Sequence, residues 1–173
     1  MKTERDEQFH SFVLSHRAAL IRTATLLTAG DGHLAEDLVQ SALTKLYVAW
    51  PSFRRADNPE GYLRRTLVNA LTDERRRWWR RHERPVAELP DRAAAVPVAS
   101  DDGGEGIREA LRELPPRMRA ALVFRYFYDL DVADTADALG CTEGTVKSQT
   151  ARALDRLRGV LAETEIPLTG VTR

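Results

Sequence analysis

Two stretches of this chain concentrate side-chain types that bind nucleic acids. The first, Thr142–Leu154, reads TEGTVKSQTARAL and predicts a helix with a polar face. Side chains of these types form hydrogen bonds to base edges and phosphates, and a helix N-terminus adds free amides for a phosphate. The alternative is an ordinary amphipathic helix whose polar face is solvated. The candidate DNA contacts here are Thr145, Lys147, Ser148, Gln149 and Arg152.

The second stretch, Asp73–Arg81, reads DERRRWWRR and joins the densest run of positive charge to two adjacent tryptophans. Seven arginines and no lysine occur between Arg64 and Arg81. Arginine suits bidentate phosphate contacts, and stacking of an unpaired base on an aromatic ring contributes about 1–3 kcal/mol. The run therefore predicts a surface for phosphates and unstacked bases. The alternative is a solvated helix end with the tryptophan rings packed beneath it.

Patterns of catalytic and metal sites are missing from the sequence. The four histidines are scattered, and none has the spacing of a metal-binding motif. Gly103–Gly106 follows no predicted strand and is not a phosphate loop. Cys141 is the only cysteine, so an internal disulfide is excluded, and we interpret this residue as structural. We therefore expect no catalytic residue, no metal site and no cofactor, and the protein is predicted not to be an enzyme.

Helices must position both stretches, because apolar residues recur at helical spacing and no useful strand alternation occurs. Ala29–Gly32 ends a first helix, Pro51 is expected to close a second, and Asn58 caps a third with Pro59 at its first position. In the second half, a turn containing Gly140 separates two helices, which is the helix-turn-helix plan. The helices predicted there are Ile107–Leu114, one from Pro116, Val132–Leu139, and one from Thr142 to about Leu161.

Charge and composition divide the chain, although its formal net charge is zero. Residues 1–82 hold 14 basic and 10 acidic residues, whereas residues 83–106 hold 2 and 6 together with three prolines and three glycines. Such a composition is typical of a linker. We predict an all-α fold of two small helical domains, 1–82 and 107–161, joined by a flexible acidic linker, 83–106, and followed by a short tail, 162–173. No signal peptide or membrane-spanning run is evident, which predicts a cytoplasmic protein.

The order of these parts resembles the extracytoplasmic-function (ECF, group IV) sigma factors of bacterial RNA polymerase. HLAEDLVQSALTKLYVAW looks like the core-binding helix of their region two. NPEGYLRRTLVNALTDERRR looks like the helix that melts the promoter and reads the −10 element. The chain from LRELPPRMRAAL through TEGTVKSQTARALDRLR looks like region four. The run RRRWWRRHERPVAELP is similar to an actinobacterial SigE-like subfamily.

The resemblance implies a role for each set of residues. Ser41 departs from the glutamate often found at its position, and Gln149 departs from the usual arginine of VKSR. Core-polymerase contacts are implied for Glu36, Asp37, Gln40 and Ser41. Contacts to the −10 element are implied for Ser52, Phe53, Arg54, Asp57, Arg64, Arg65, Asn69, Arg75, Arg76 and Trp78. Contacts to the −35 element are implied for Thr145, Lys147, Ser148, Gln149 and Arg152.

The implied function is promoter-specific transcription initiation. The implied partners are core RNA polymerase, through the clamp coiled coil and the flap of its two largest subunits, and promoter DNA. That DNA is duplex at −35 and single-stranded at −10, and control by an anti-sigma factor is common in the family. The main alternative is a plain helix-turn-helix regulator that binds duplex DNA without polymerase. A second alternative is a helical adaptor without DNA affinity. An enzyme is a third, but the sequence shows no catalytic arrangement of residues that supports it.

Overall fold

The computed structural model of this chain describes residues 4–81 and 104–163, and in these ranges it contains helices and no strand, which confirms the all-α prediction. A π-helical segment, Val123–Phe127, follows α6. The helices of the first half are α1, Glu4–Leu27; α2, Gly32–Val48; α3, Trp50–Phe53; and α4, Pro59–Arg81. Those of the second half are α5, Gly104–Arg112; α6, Pro116–Leu122; α7, Val132–Leu139; and α8, Glu143–Glu163.

The described residues form two compact units. The first contains α1 up to Thr25 together with α2, α3 and α4. The second contains α5 to α8 and the short segment Leu26–Gly30. Of the two predicted domain boundaries, the one at residue 82 falls outside the described ranges, and the one between residues 106 and 107 falls within α5.

An apolar stripe on α2 forms the centre of the first unit. Leu38, Ala42 and Leu46, spaced four residues apart, are fully buried, as the helical period requires. The Asp31 carboxylate caps the helix by accepting a hydrogen bond from the Leu34 amide at 2.9 Å. The stripe packs mainly against α4, so the polar side of α2 faces away from the core.

The second unit is built around α8, which packs on α5, α6 and α7. Gly140 ends α7 in the left-handed conformation, with φ 60°, because a residue without Cβ adopts it at little cost. The Thr142 hydroxyl then caps α8 by accepting from the Thr145 amide at 3.2 Å. Val146 and Ala153 are buried against the neighbouring helices. This local chemistry produces the predicted helix-turn-helix.

Helix boundaries differ from the sequence-based ones in three places. Pro51 does not close α2; it lies in the first turn of α3, where a missing amide hydrogen costs nothing. Helix α5 begins at Gly104, inside the predicted linker. After α6 the backbone widens into the π-helical segment Val123–Phe127 and reaches Asp129 with φ 49°. A single wide turn of this kind adds one residue to the helix and shifts the apolar pattern by one position. A search for the 3.6-residue repeat therefore does not detect it.

Candidate nucleic-acid and protein interfaces

The polar side of α2 is the first candidate surface. Glu36, Asp37 and Gln40 are exposed and Ser41 is half-buried, because their neighbours on the helix face the core. Two ion pairs bound this surface. The Arg17 guanidinium of α1 donates to Glu36 with Nη2 and Oε2 2.6 Å apart, and Lys45 pairs with Asp73 of α4.

The segment between α2 and α4, residues 52–57, is a second candidate surface. Ser52, Arg54 and Asp57 are exposed, whereas Phe53 is buried. The Phe53 ring stacks on Trp50, with centroids 5.3 Å apart and planes 27° apart. Phe53 therefore supports the segment from below, and its exposed neighbours form the outer surface.

A groove of about 580 Å³ lies beside this segment, between α1 and α3. The Arg54 guanidinium donates to the Gln8 side chain of α1, which fixes one edge of the groove. Trp50 is 5% exposed, and its indole Nε1 has no hydrogen-bond partner among the described residues. The lining residues are Glu7, Gln8, Ser11, Phe12, Trp50 and Arg54.

Helix α4 carries the next predicted residues. Its first turn is fixed by Asn58, whose side-chain oxygen accepts from the Gly61 amide at 2.8 Å. Arg65, Asn69 and Arg76 are exposed, and spacings of four and seven residues place them on one face of the helix. Arg64 lies aside from that face, with 20% of its side chain exposed, and pairs with Glu60 at 2.7 Å. Arg75 and Trp78 belong to α4, but their side chains lie outside the described part of the structure.

The outer side of α8 presents Lys147, Ser148 and Arg152, all exposed. Thr145 is half-buried, and its hydroxyl lies 2.9 Å from that of Thr142, so it helps to cap the helix. Gln149 is half-buried as well, and its Oε1 is a buried atom without a hydrogen-bond partner in the described part of the chain. The structure thus brings three of the five predicted −35 residues onto one open surface, whereas Thr145 and Gln149 lie partly inward.

Two features of α6 and its continuation were missed by sequence reasoning. Arg119 turns inward, donating from Nε to the Leu111 carbonyl at 2.7 Å and from Nη2 to the Leu114 carbonyl at 2.9 Å. Burial, with a smaller contribution from nearby Arg112, lowers the pKa of Arg119 to about 10. Tyr126 and Phe127 turn outward and are nearly half exposed. The run RYFY was the available signal, but the π-helical turn decides which rings face solvent.

The described ranges contain no candidate metal site. There, no group of three or more His, Cys, Asp or Glu side chains is arranged to hold a metal ion. Cys141 is a half-buried free thiol in the turn before α8. None of the helices described combines the length and apolar character that a membrane crossing needs.

Comparison with known proteins matches both units. The family model for sigma-70 region 2 covers residues 12–81, and the model for sigma-70 region 4 covers residues 105–157. The chain is 33% identical to the RNA polymerase sigma-E factor of Streptomyces avermitilis, over 96% of this chain and 92% of that protein. It is 35% identical to the ECF RNA polymerase sigma factor SigM of Mycobacterium tuberculosis, over 88% and 76%.

Among solved structures, the fold is similar to the sigma factor RpoE of Bartonella quintana, crystallised in complex with the anti-sigma factor NepR. The TM-score is 0.75 and the identity 28%, over 90% of this chain and 98% of that one. Both units are therefore matched together and in the same order.

Proposed function

Since this chain belongs to the ECF group of the sigma-70 family, and so binds core RNA polymerase and directs promoter-specific transcription initiation, we propose how its surfaces divide that work. The observation that carries the proposal is the pair of family matches, residues 12–81 and 105–157, each of which contains an exposed polar surface of suitable chemistry. The test is run-off transcription with purified core polymerase and a promoter library. A chain that never triggers specific initiation on any template would overturn the proposal.

The polar side of α2 docks on the clamp coiled coil of the largest subunit. Its exposed carboxylates and amide favour a basic partner surface, since complementary potentials steer association and set specificity. Asp37 and Gln40 lead this contact, with Glu36 and Ser41 beside them. We expect Asp37→Ala to weaken core binding, measured by fluorescence anisotropy of the labelled chain. Asp155→Ala, an exposed carboxylate on α8, is the matched control.

The second unit contacts the flap of the second-largest subunit through the helix around Arg119–Tyr126. The inward hydrogen bonds of Arg119 favour Tyr126 and Phe127 as the outward part of that contact. Partly exposed aromatic rings are the side chains that most often anchor protein interfaces. Replacing both rings with serine is expected to reduce initiation from promoters that depend on a −35 element, in the same run-off assay.

The −10 element is read by segment 52–57 and by one face of α4. Ser52, Arg54 and Asp57 surround a flipped base, with Phe53 supporting the segment. Arg65, Asn69 and Arg76 face the melted strand, and Arg64 joins them by exchanging Glu60 for a phosphate. Arg75 and Trp78 extend this surface.

Our hypothesis for the paired tryptophans is that Trp78 or Trp79 lies at the duplex edge, where a ring can cover an exposed base.

The tryptophan hypothesis has its own test in permanganate footprinting, which detects unpaired thymines in the opened promoter. Replacing Trp78 and Trp79 together with alanine should reduce the footprint. Unchanged promoter opening in the double variant would refute the role of the rings while leaving the rest of the −10 surface intact.

The −35 element is read by α8 in the major groove of duplex DNA. Lys147, Ser148 and Arg152 make the outer contacts, and Thr145 lies at the cap of the helix. Gln149 replaces a usual arginine, so we expect either weaker phosphate binding or a different base preference at that position. A systematic −35 library compared between wild type and Gln149→Arg measures which of the two occurs.

The linker, residues 83–106, joins the two DNA-reading surfaces and raises the effective concentration of each for its own element. Its acidic composition supports passage toward the RNA exit path as a mimic of nucleic acid. Neutralising its acids should alter early transcript release.

The chain itself performs no chemistry, acts in the cytoplasm with polymerase, and is open to control by an anti-sigma factor.

The main rival is a helix-turn-helix regulator that binds duplex DNA alone. It explains α7 and α8 but leaves the polar side of α2 and the arginine-rich α4 without a role. Co-elution with core polymerase on size exclusion separates the two, because only a sigma factor should co-elute. A helical adaptor would show little salt-dependent DNA binding, whereas release of counterions from DNA gives a steep salt dependence.

A further inference from the structure

Arg17 lies on α1, outside every set of residues assigned above, yet it contacts the polymerase-binding surface. Its Nη2 donates to Oε2 of Glu36 at 2.6 Å. The two side chains are 54% and 52% exposed, so the pair is accessible to solvent and to a docking protein. The first unit therefore supplies its own cation to one of the carboxylates proposed to meet the polymerase.

The neighbouring carboxylate is in a different state. Asp37 is exposed, and in the part of the chain that the structure describes its side chain has no hydrogen bond or ion pair. At the other end of the same surface, Lys45 pairs with Asp73. Of the two adjacent carboxylates, that of Glu36 is paired with Arg17 of the same chain, and that of Asp37 is open to a partner protein.

We propose that Arg17 competes with core polymerase for Glu36 and so tunes the affinity of this surface for the polymerase. The inference rests on the proposed docking of this surface against basic side chains of the clamp. A clamp cation reaches Glu36 only by displacing the Arg17 guanidinium, whereas it reaches Asp37 without any exchange. Arg17 thus weakens the contact of a basic partner surface with Glu36 and leaves its contact with Asp37 unopposed.

The size of the effect is bounded by the exposure of the pair. An exposed ion pair contributes at most about 1 kcal/mol, which corresponds to about a fivefold change in a dissociation constant. Removing Arg17 should therefore tighten core binding two- to fivefold at low ionic strength. The gain should shrink toward none in high salt, because exposed charges are then screened.

A double-mutant cycle with the full chain and purified core polymerase tests the competition. The variants are Arg17→Ala, Glu36→Gln and both together, and the readout is the dissociation constant from fluorescence anisotropy. Arg22→Ala is the matched control, since Arg22 is an exposed arginine on the same helix and its loss changes the net charge equally. The expected result is tighter binding for Arg17→Ala alone, and no further change when Glu36 is already Gln.

Other outcomes are decisive as well. Weaker binding of Arg17→Ala, an equal gain in Arg22→Ala, or a gain that persists with Glu36→Gln would overturn the competition. If the wild-type chain does not bind core polymerase at all, the proposed function fails. If it binds but Glu36→Gln has no effect, Glu36 lies outside the interface, and only this further inference is lost.

Discussion

Replacing Arg119 with lysine separates a structural role of α6 from a role in polymerase contact. The guanidinium of Arg119 donates to the carbonyls of Leu111 and Leu114, at the end of α5 and in the turn before α6, and also to those of Leu27 and Arg112. At pH 7 the side chain is charged, because the pKa of about 10 is well above that pH. The positive charge also lies where the dipole at the C-terminus of α5 favours a cation.

The expected loss of stability depends on the number of carbonyls to which the Arg119 guanidinium donates. A hydrogen bond from a charged donor contributes about 1.5–3 kcal/mol. A lysine ammonium keeps the charge but lacks the planar fork that reaches several carbonyls in different directions. At least one such bond should be lost, so Arg119→Lys is expected to lower the free energy of unfolding of the second unit by at least about 2 kcal/mol.

Hydrogen exchange followed by mass spectrometry measures this effect locally, since peptides from α5 and α6 report on the second unit alone. Tryptophan fluorescence reports on the first half of the chain instead, because all three tryptophans (Trp50, Trp78 and Trp79) precede residue 82. It should therefore not detect the loss of stability in the second unit. Arg117→Lys is the matched control on the same helix, where Arg117 donates to the Leu139 carbonyl at 3.1 Å. If protection in α5 and α6 is unchanged while core binding falls, Arg119 acts at the polymerase surface and the structural reasoning is wrong.

Three further predictions concern single residues with a defined local role. Asn58→Ala should cost about 1 kcal/mol in urea denaturation by removing the cap of α4, whereas Asn58→Asp should keep it; equal losses in both would contradict the capping role. Asp129→Gly should raise stability by about 0.5 kcal/mol, because Asp129 has φ 49° and only glycine adopts that conformation freely; a lower denaturation midpoint would refute this. Lys147→Ala should weaken binding to −35 duplexes of every sequence and reduce the salt slope by about one, if Lys147 contacts a phosphate; loss of preference at a single base pair would instead indicate base reading.

Much of the fold was predictable because its signals are local. The cap at Asn58, the left-handed Gly140 and the four-residue spacing on α2 each depend on neighbours along the chain, and the structure has all three. Pro51 shows the limit of such signals. A proline is compatible with the end of one helix and with the first turn of the next, and packing of Trp50 and Phe53 selects the second option.

The sequence by itself determined the all-α architecture, the helix-turn-helix and the family, since helical period, caps and motif order are all written along the chain. Tertiary structure alone decided which polar groups remain available to bind polymerase or DNA. Arg119 is used inside the second unit, Glu36 is paired with Arg17, and Gln149 is partly buried, although all three belong to types usually found in solvent. The physical reason is that a charge or an amide finds its partner by distance in space, and residues such as Arg17 and Glu36 become neighbours only when two helices pack together.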